Sequence, residues 1–269
     1  MDPQEYRALP SEQLRTRDLL ALMPARGGVA LDIGARDGHF SLLLAERFER
    51  VIALDLVMPT VQHPRVECVK GNAAQIDLPD NSIDLVFCAE VLEHIPTPLL
   101  PQVCSELQRV SRSQLLIGVP YRQDILVGRT SCRACGGSSP PWGHVNAFDE
   151  HKLAGLFGGC NVAEMNFVGS NRERTNALSA LLMDWAGNPY GTYCQDEPCV
   201  HCGQALQGPP PRGLHQKLLT KLAFLTRWPS MATAKPHGNW IHLLLNKNRP
   251  AVMAPALAQR ETTRTAVAA

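Results

Sequence analysis

Between Val29 and Phe40 the chain reads VALDIGARDGHF, and this stretch constrains the fold more than any other. Val29, Ala30, Leu31 and Ile33 form an apolar run suited to a strand buried on both faces. Phe40, Leu42, Leu43, Leu44 and Phe48 follow at spacings that can line one side of a helix. Gly34 and Gly38 let the intervening loop turn sharply and approach a ligand closely. In a doubly wound α/β fold such a loop, at the carboxyl end of a parallel strand, is where ligands bind.

The loop's charge narrows the ligand. A dinucleotide loop reads G-x-G-x-x-G, but Arg36 and His39 stand at the second and third glycine positions. Asp32 and Asp37 flank the turn, where they would repel a pyrophosphate and suit an ammonium or a sulfonium. Here the chain resembles the first motif of class I S-adenosylmethionine-dependent methyltransferases, D-x-G-x-G-x-G, with Arg36 replacing the middle glycine. Strand-like RVIALDL ends in Asp55, seventeen residues past Gly38, near the offset at which an acid reaches ribose hydroxyls. Gly71-Asn72-Ala73 stands where the family often has G-D-A at the adenine edge, with Asn72 replacing the acid. LPDNSIDLVFCAEVLEHI, residues 78–95, closely resembles the fourth-strand region of the small-molecule branch of that family.

The resemblance implies a Rossmann-like doubly wound α/β sheet of seven strands, mostly parallel with one antiparallel. Residues 65–70, 83–87 and 114–120 add three strands, and 161–168 and 239–246 the last two, the latter antiparallel. Helices are expected over 11–23, 98–110 and 149–157. Residues 1–28 read as a loose lead-in, to Pro10, and a helix; 29–248 as the catalytic domain with insertions at 122–142 and 170–237; 249–269 as a disordered tail. QGPPPR, residues 207–212, reads as a stiff linker. By resemblance, S-adenosylmethionine is the cofactor, bound by Asp32, Gly34, Arg36, Gly38, Asp55, Asn72, Ala73 and Glu90.

Two cysteine pairs lie outside this core: CRACG at Cys132 and Cys135, and CVHCG at Cys199 and Cys202. Two thiolates spaced C-x-x-C and followed by glycine can reach one ion, and four make a closed structural zinc site. The inner ligands are 64 positions apart, yet in the resembled topology both connections emerge at the same sheet edge. One zinc would pin the two insertions as a lid over the acceptor site, with His201 or Cys194 as possible substitutes for a thiolate. Cys68, Cys88, Cys104 and Cys160 sit in or beside apolar segments and read as core residues.

Methyl transfer is an in-line displacement that needs an oriented acceptor and, for some acceptors, a base. Glu90, Glu93, His94 and His144 are the candidates for that base, with loop-capping by Glu93 and His94, and packing or metal binding by His144, as the alternatives; Arg36 would hold the methionine carboxylate or pair with Asp37 or Glu46. The expected acceptor is a small molecule or a glycan-type compound. The alternatives are an RNA or protein methyltransferase, or a non-catalytic zinc-containing interaction module. A formal net charge of +1 gives no strong nucleic-acid signature. No apolar run approaches the roughly 18–20 residues of a membrane span, and no signal-peptide pattern opens the chain, so a cytoplasmic location is expected. Residues 214–228, with Leu218, Leu222 and Leu225 at helical spacing and lysines between, read as a helix docking the lid or touching a membrane surface.

Overall fold

The computed structural model describes residues 3–209 and 211–248. The proposed tail, residues 249–269, lies outside the described residues, as does Pro210 within the proposed linker. One seven-stranded sheet organises the chain. Its strands are β1 (Gly27–Ile33), β2 (Phe48–Asp55), β3 (Val66–Lys70), β4 (Ile83–Ala89), β5 (Ser111–Pro120), β8 (Cys160–Val168) and β9 (Trp240–Lys247). They lie in the order β3-β2-β1-β4-β5-β9-β8. β1 to β5 are mutually parallel, whereas β9 runs antiparallel to both β5 and β8. The expected Rossmann-like architecture is therefore present. Its order reverses at β1, between β2 and β4, so the β1 loop sits at the switch point where such sheets bind ligands.

The centre is apolar because both faces are covered. Leu31, Ile33, Val86 and Cys88 pack with α4 (Leu100–Val110) on one face, while Ala30, Leu85, Phe87 and Leu116 pack with Leu19, Leu22 and Leu44 on the other. The anticipated helix over 11–23 is α2 (Pro10–Leu22), but Leu14 stays exposed and Leu19 and Leu22 carry the packing. Asp18 on α2 accepts from Asn166 at 2.9 Å and contacts the fully buried His242 at 2.6 Å, tying α2 to β8 and β9.

The structure corrects several expectations. The lead-in is a helix, α1 (Pro3–Ala8), whose Arg7 pairs with Asp37 in the β1 loop. Helix α3 (His39–Ala45) is shorter than the apolar pattern suggested: it buries Ser41, Leu44 and Ala45, leaves Leu42 exposed, and Phe48 opens β2 instead. Cys88 and Cys104 are buried, but Cys68 and Cys160 are only half-buried.

Two further helices were not both legible. α6 (Ala177–Trp185) was unforeseen, and it packs against α7 (Leu214–Thr233). α7 docks through Thr220 and Ala223, so Leu218, Leu222 and Leu225 face outward rather than into the lid. Leu214 and Trp228 extend that exposed stripe, with Lys217 and Lys221 beside it, and Leu178, Leu181 and Trp185 form another on α6. Among the described residues no helix is long and apolar enough to cross a membrane.

Candidate cofactor and acceptor site

The β1 loop turns through three left-handed residues: Gly34 at φ 74°, Arg36 at 43° and Gly38 at 78°. Glycine adopts this region freely, whereas Arg36 occupies it at a cost of about 1–2 kcal/mol. The conformation is held from β2: Leu54 O accepts from Gly34 N at 2.8 Å, and Asp55 Oδ2 accepts from Arg36 N at 3.0 Å. The other oxygen of Asp55 accepts from Val57 N at 3.1 Å, so this half-buried carboxylate is fixed beside the glycine loop. Asn72 Oδ1 accepts from Ala74 N at 2.9 Å, closing a tight turn and leaving its amide NH2 for a ligand. Ala73, next to it, is buried.

Asp32 ends β1 beneath the loop, 2% exposed, and accepts from the Ser41 hydroxyl at 2.5 Å. Burial, with Asp55 and Asp37 adding to it, pushes its pKa up to about 7. The folded protein thus holds a proton between about pH 4 and 7 that the unfolded chain has lost. Thermal stability of the ligand-free protein is expected to fall as pH rises through that window and to level off above it. The change approaches ~4 kcal/mol at most, and Asp32→Asn should remove it, as melting scans from pH 4.5 to 8.5 would read.

Arg36 does not pair with Asp37 or Glu46. Its guanidinium lies 3.7 Å from Asp196 and 4.0 Å from Glu197, both just ahead of the second cysteine knuckle. α1 reaches the same loop from the other side through the Arg7–Asp37 pair. The loop is therefore clasped between the N-terminal helices and the second insertion. Glu90 follows β4 at φ 57°; it accepts from Trp240 Nε1 at 3.3 Å and lies 3.7 Å from the buried Arg15. Burial raises its pKa despite that arginine.

Three residues further on, Glu93 is fully buried, and its backbone oxygen accepts from Val145 N at 2.9 Å and Asn146 N at 3.1 Å. Asn146 stitches the same contact from its side, donating to the Leu92 and Ile95 carbonyls at 3.0 and 2.6 Å. These bonds bring His144 to His94, with ring centroids 4.6 Å apart and planes perpendicular. Burial lowers both imidazole pKa values, that of His144 to about 3, with His94 contributing. Both rings are thus held neutral, which suits them to accept a hydrogen bond or a metal and makes His144 a weak base. Burial, followed by the Glu90 charge, pushes Glu93 well above the usual carboxylate range.

The two cysteine knuckles come together. The Sγ atoms of Cys132, Cys135, Cys199 and Cys202 all lie within 4.8 Å of one another, with Cys132–Cys202 and Cys135–Cys199 at 3.7 Å. A tetrahedron with zinc–sulfur bonds of ~2.3 Å has edges of about 3.8 Å, so the donor set fits that ion. The knuckles share one geometry: Gly136 N and Gly203 N each donate at 2.9 Å to Cys132 O and Cys199 O, with φ of 72° and 71°. His201 instead contacts Ser138 O at 3.0 Å, and neither it nor the exposed Cys194 is part of the cluster. Around the knuckles, the small hairpin β6 (Thr130–Ser131) and β7 (Ser138–Ser139) is locked to the end of α6: Asn188 donates to Ser131 and Ser138 at 3.1 Å, and Arg129 pairs with Asp184 at 2.9 Å. A cavity of about 370 Å³ opens between the insertions and the α6–α7 pair, lined by Gln123, Trp142, Met183, Tyr190, Phe224 and Arg227 among others. Gln123 also contacts His144 at 2.6 Å, so one wall of the cavity reaches the histidine pair.

Gln123 and Asn146 were missed by sequence reasoning. Nothing in the residue type of Asn146 distinguishes a stitching amide from a ligand contact.

Sheet order and the switch-point loop define a Rossmann-like doubly wound domain with the strand arrangement of methyltransferase structures. Residues 31–115 match the family model described as methyltransferase domain. It is 36% identical over 110 residues to a protein of Mycolicibacterium smegmatis named "Probable S-adenosylmethionine-dependent methyltransferase", covering 38% of this chain and 42% of that one. It is 36% identical over 91 residues to a malonyl-[acyl-carrier protein] O-methyltransferase of Serratia marcescens, covering 32% and 35%. The chain spans about two fifths of the length of the curated relatives it matches. In structure it is similar to the 1,6-didemethyltoxoflavin-N1-methyltransferase of Burkholderia thailandensis, solved with S-adenosylhomocysteine (TM-score 0.51, 15% identity, 91% of this chain and 84% of that one). The YcgJ protein of Bacillus subtilis gives a TM-score of 0.53 at 14% identity, covering 87% and 99%. At these identities the two structures show the fold.

Proposed function

We propose that this protein transfers the methyl group of S-adenosylmethionine to a hydroxyl, amine or carbon of a small molecule or glycan-type acceptor. In this reading a structural zinc on Cys132, Cys135, Cys199 and Cys202 holds the acceptor lid. The observation that carries it is the cavity between the two insertions, whose wall runs through Gln123 to His144 beside the β4 loop. Asp55 holds the ribose hydroxyls, the turn at Asn72 and Ala73 the adenine, and Asp32 faces the methionine end. The sulfonium loses its charge during transfer, so the site gains rate from orienting the acceptor and excluding water rather than from binding that charge tightly. The acceptor's nonbonding pair forms the new bond to the methyl carbon, and the carbon–sulfur pair stays on sulfur. The lid closes through Arg36, which links the cofactor loop to Asp196 and Glu197.

The exposed apolar stripes on α6 and α7, with Lys217 and Lys221 alongside, favour an acceptor carried on a lipid over a freely diffusing one. Co-sedimentation with anionic vesicles, lost in Leu225→Glu, is expected for a lipid-borne acceptor; a protein that stays in the supernatant points to a free one. The transfer reading is tested by filling the cavity with Met183→Trp while following S-adenosylhomocysteine formation. A raised KM for the acceptor with unchanged affinity for S-adenosylmethionine is expected. An acceptor KM untouched by the substitution would remove the cavity from the account.

A further inference from the structure

The geometry points to a cation site of its own at Glu93, His94 and His144, separate from the four thiolates. One potential ligand atom from each residue lies within 4.8 Å of the others. Glu93 is 0% exposed, and neither of its carboxyl oxygens has a hydrogen-bond partner among the described residues. Buried carboxyl oxygens are ordinarily satisfied, so two orphans on one side chain mark a missing partner. The side chains that meet them are imidazoles, which together with the carboxyl make a ligand set.

The surroundings hold this set as metal ligands are held. The amide oxygen of Gln123 lies 2.6 Å from His144 Nδ1, which fixes the proton on Nδ1 and leaves the Nε2 lone pair for an ion. The backbone bonds from Val145 and Asn146 to the Glu93 carbonyl lock the carboxyl and His144 in register before any ion arrives. Glu90, three residues earlier, is turned to Arg15, 3.7 Å from its Oε1, and to Trp240, and stays outside this set. Two imidazoles and a carboxyl suit a divalent first-row transition ion rather than calcium or magnesium. Three protein ligands leave open positions.

The site lies between the end of β4 and the Gln123 wall of the cavity, which gives it a chemical consequence resting on the methyl-transfer reading above. An acceptor hydroxyl reaching an open position would release its proton to solvent, because a bound cation lowers the pKa of a coordinated O–H. The resulting oxyanion then forms the oxygen–carbon bond to the methyl group as the carbon–sulfur pair passes to sulfur. This narrows the acceptor to a hydroxyl-bearing compound.

Cobalt(II) titration of protein whose thiolate site is already filled with zinc tests the site. The expected result is one cobalt bound per chain, with weak visible bands and no thiolate charge-transfer band. Glu93→Gln and His144→Asn should each weaken binding by ~100-fold or more, and Gln123→Ala, a positioning change, by ~10-fold or more. Calorimetric titration of the same variants with S-adenosylmethionine shows whether they fold and keep the cofactor site. Cofactor binding intact with no cobalt bound, or cobalt binding indifferent to these substitutions, would overturn the cation site. Cobalt bound and lost in the variants, with no cofactor binding in the parent protein, would keep the site and overturn the hydroxyl-activating role.

Discussion

With zinc on the four thiolates as proposed, Cys199→Ser is expected to release the ion and both insertions while the seven-stranded sheet stays folded. Zinc per chain should fall from about one to near zero. Limited proteolysis should open sites within 122–142 and 188–213, and acceptor turnover should drop at least about 100-fold. The size follows from what the ion does: structural zinc in small domains contributes on the order of 10–16 kcal/mol to folding, and the four thiols otherwise repel one another on ionising. Hydrogen bonds, chiefly from the Ser139 hydroxyl, pull the Cys199 thiol down to about 6 against the effect of its burial, so this thiol is prepared to ionise. The sheet should survive because its packing clusters contain none of the four cysteines. His201→Ala is the matched control, since that ring bonds the backbone of Ser138 and should leave zinc in place.

Gly38→Ala should be nearly as damaging at the cofactor loop. A Cβ there would come within 1.9 Å of Val61 Cγ2, and the φ of +78° disfavours any side chain. Left-handed backbone for alanine costs about 1–2 kcal/mol and forced overpacking about 1–3 more, so a loss of ~2–5 kcal/mol is expected. Either Val61 or the loop must give way, and a shift of the loop moves Arg36 off Asp55. Affinity for S-adenosylmethionine should therefore fall by roughly two orders of magnitude or more, beyond what the stability change alone would give. Denaturant melts with calorimetry separate the two effects. Gly136, also at positive φ but with nothing within 4 Å of its Cβ position, should lose only the backbone part on the same substitution.

The sheet was legible because its strands are apolar runs bounded by turns, and because Asp32, Gly34, Gly38 and Asp55 keep a spacing that only a β–loop–α–β unit explains. The knuckles were legible for the same reason: C-x-x-C-G is a local geometry. What could not be read were contacts made across the fold. PQEYRA has too few apolar residues to announce α1, whose Arg7 instead meets Asp37, 30 positions later. Arg36 finds its acidic partners 160 positions away, on the second insertion. α7 misled because Leu218, Leu222 and Leu225, at helical spacing, face outward, so periodicity pointed to the wrong contact side. The orphaned oxygens of Glu93 and the cavity behind Gln123 exist only once the chain is folded. Glu93 and His94 were visible as chemistry-bearing residues, but not as a set with His144.

On the proposed reading, the clasped β1 loop and Asp55 bind S-adenosylmethionine beneath a lid held by zinc. Calorimetric titration of zinc-analysed protein with S-adenosylmethionine, beside an Asp55→Ala control, tests it most directly. Saturable binding at one site per chain, weakened at least about tenfold in Asp55→Ala, is the predicted result. About one zinc per chain with no heat of binding, or binding indifferent to Asp55, would contradict it.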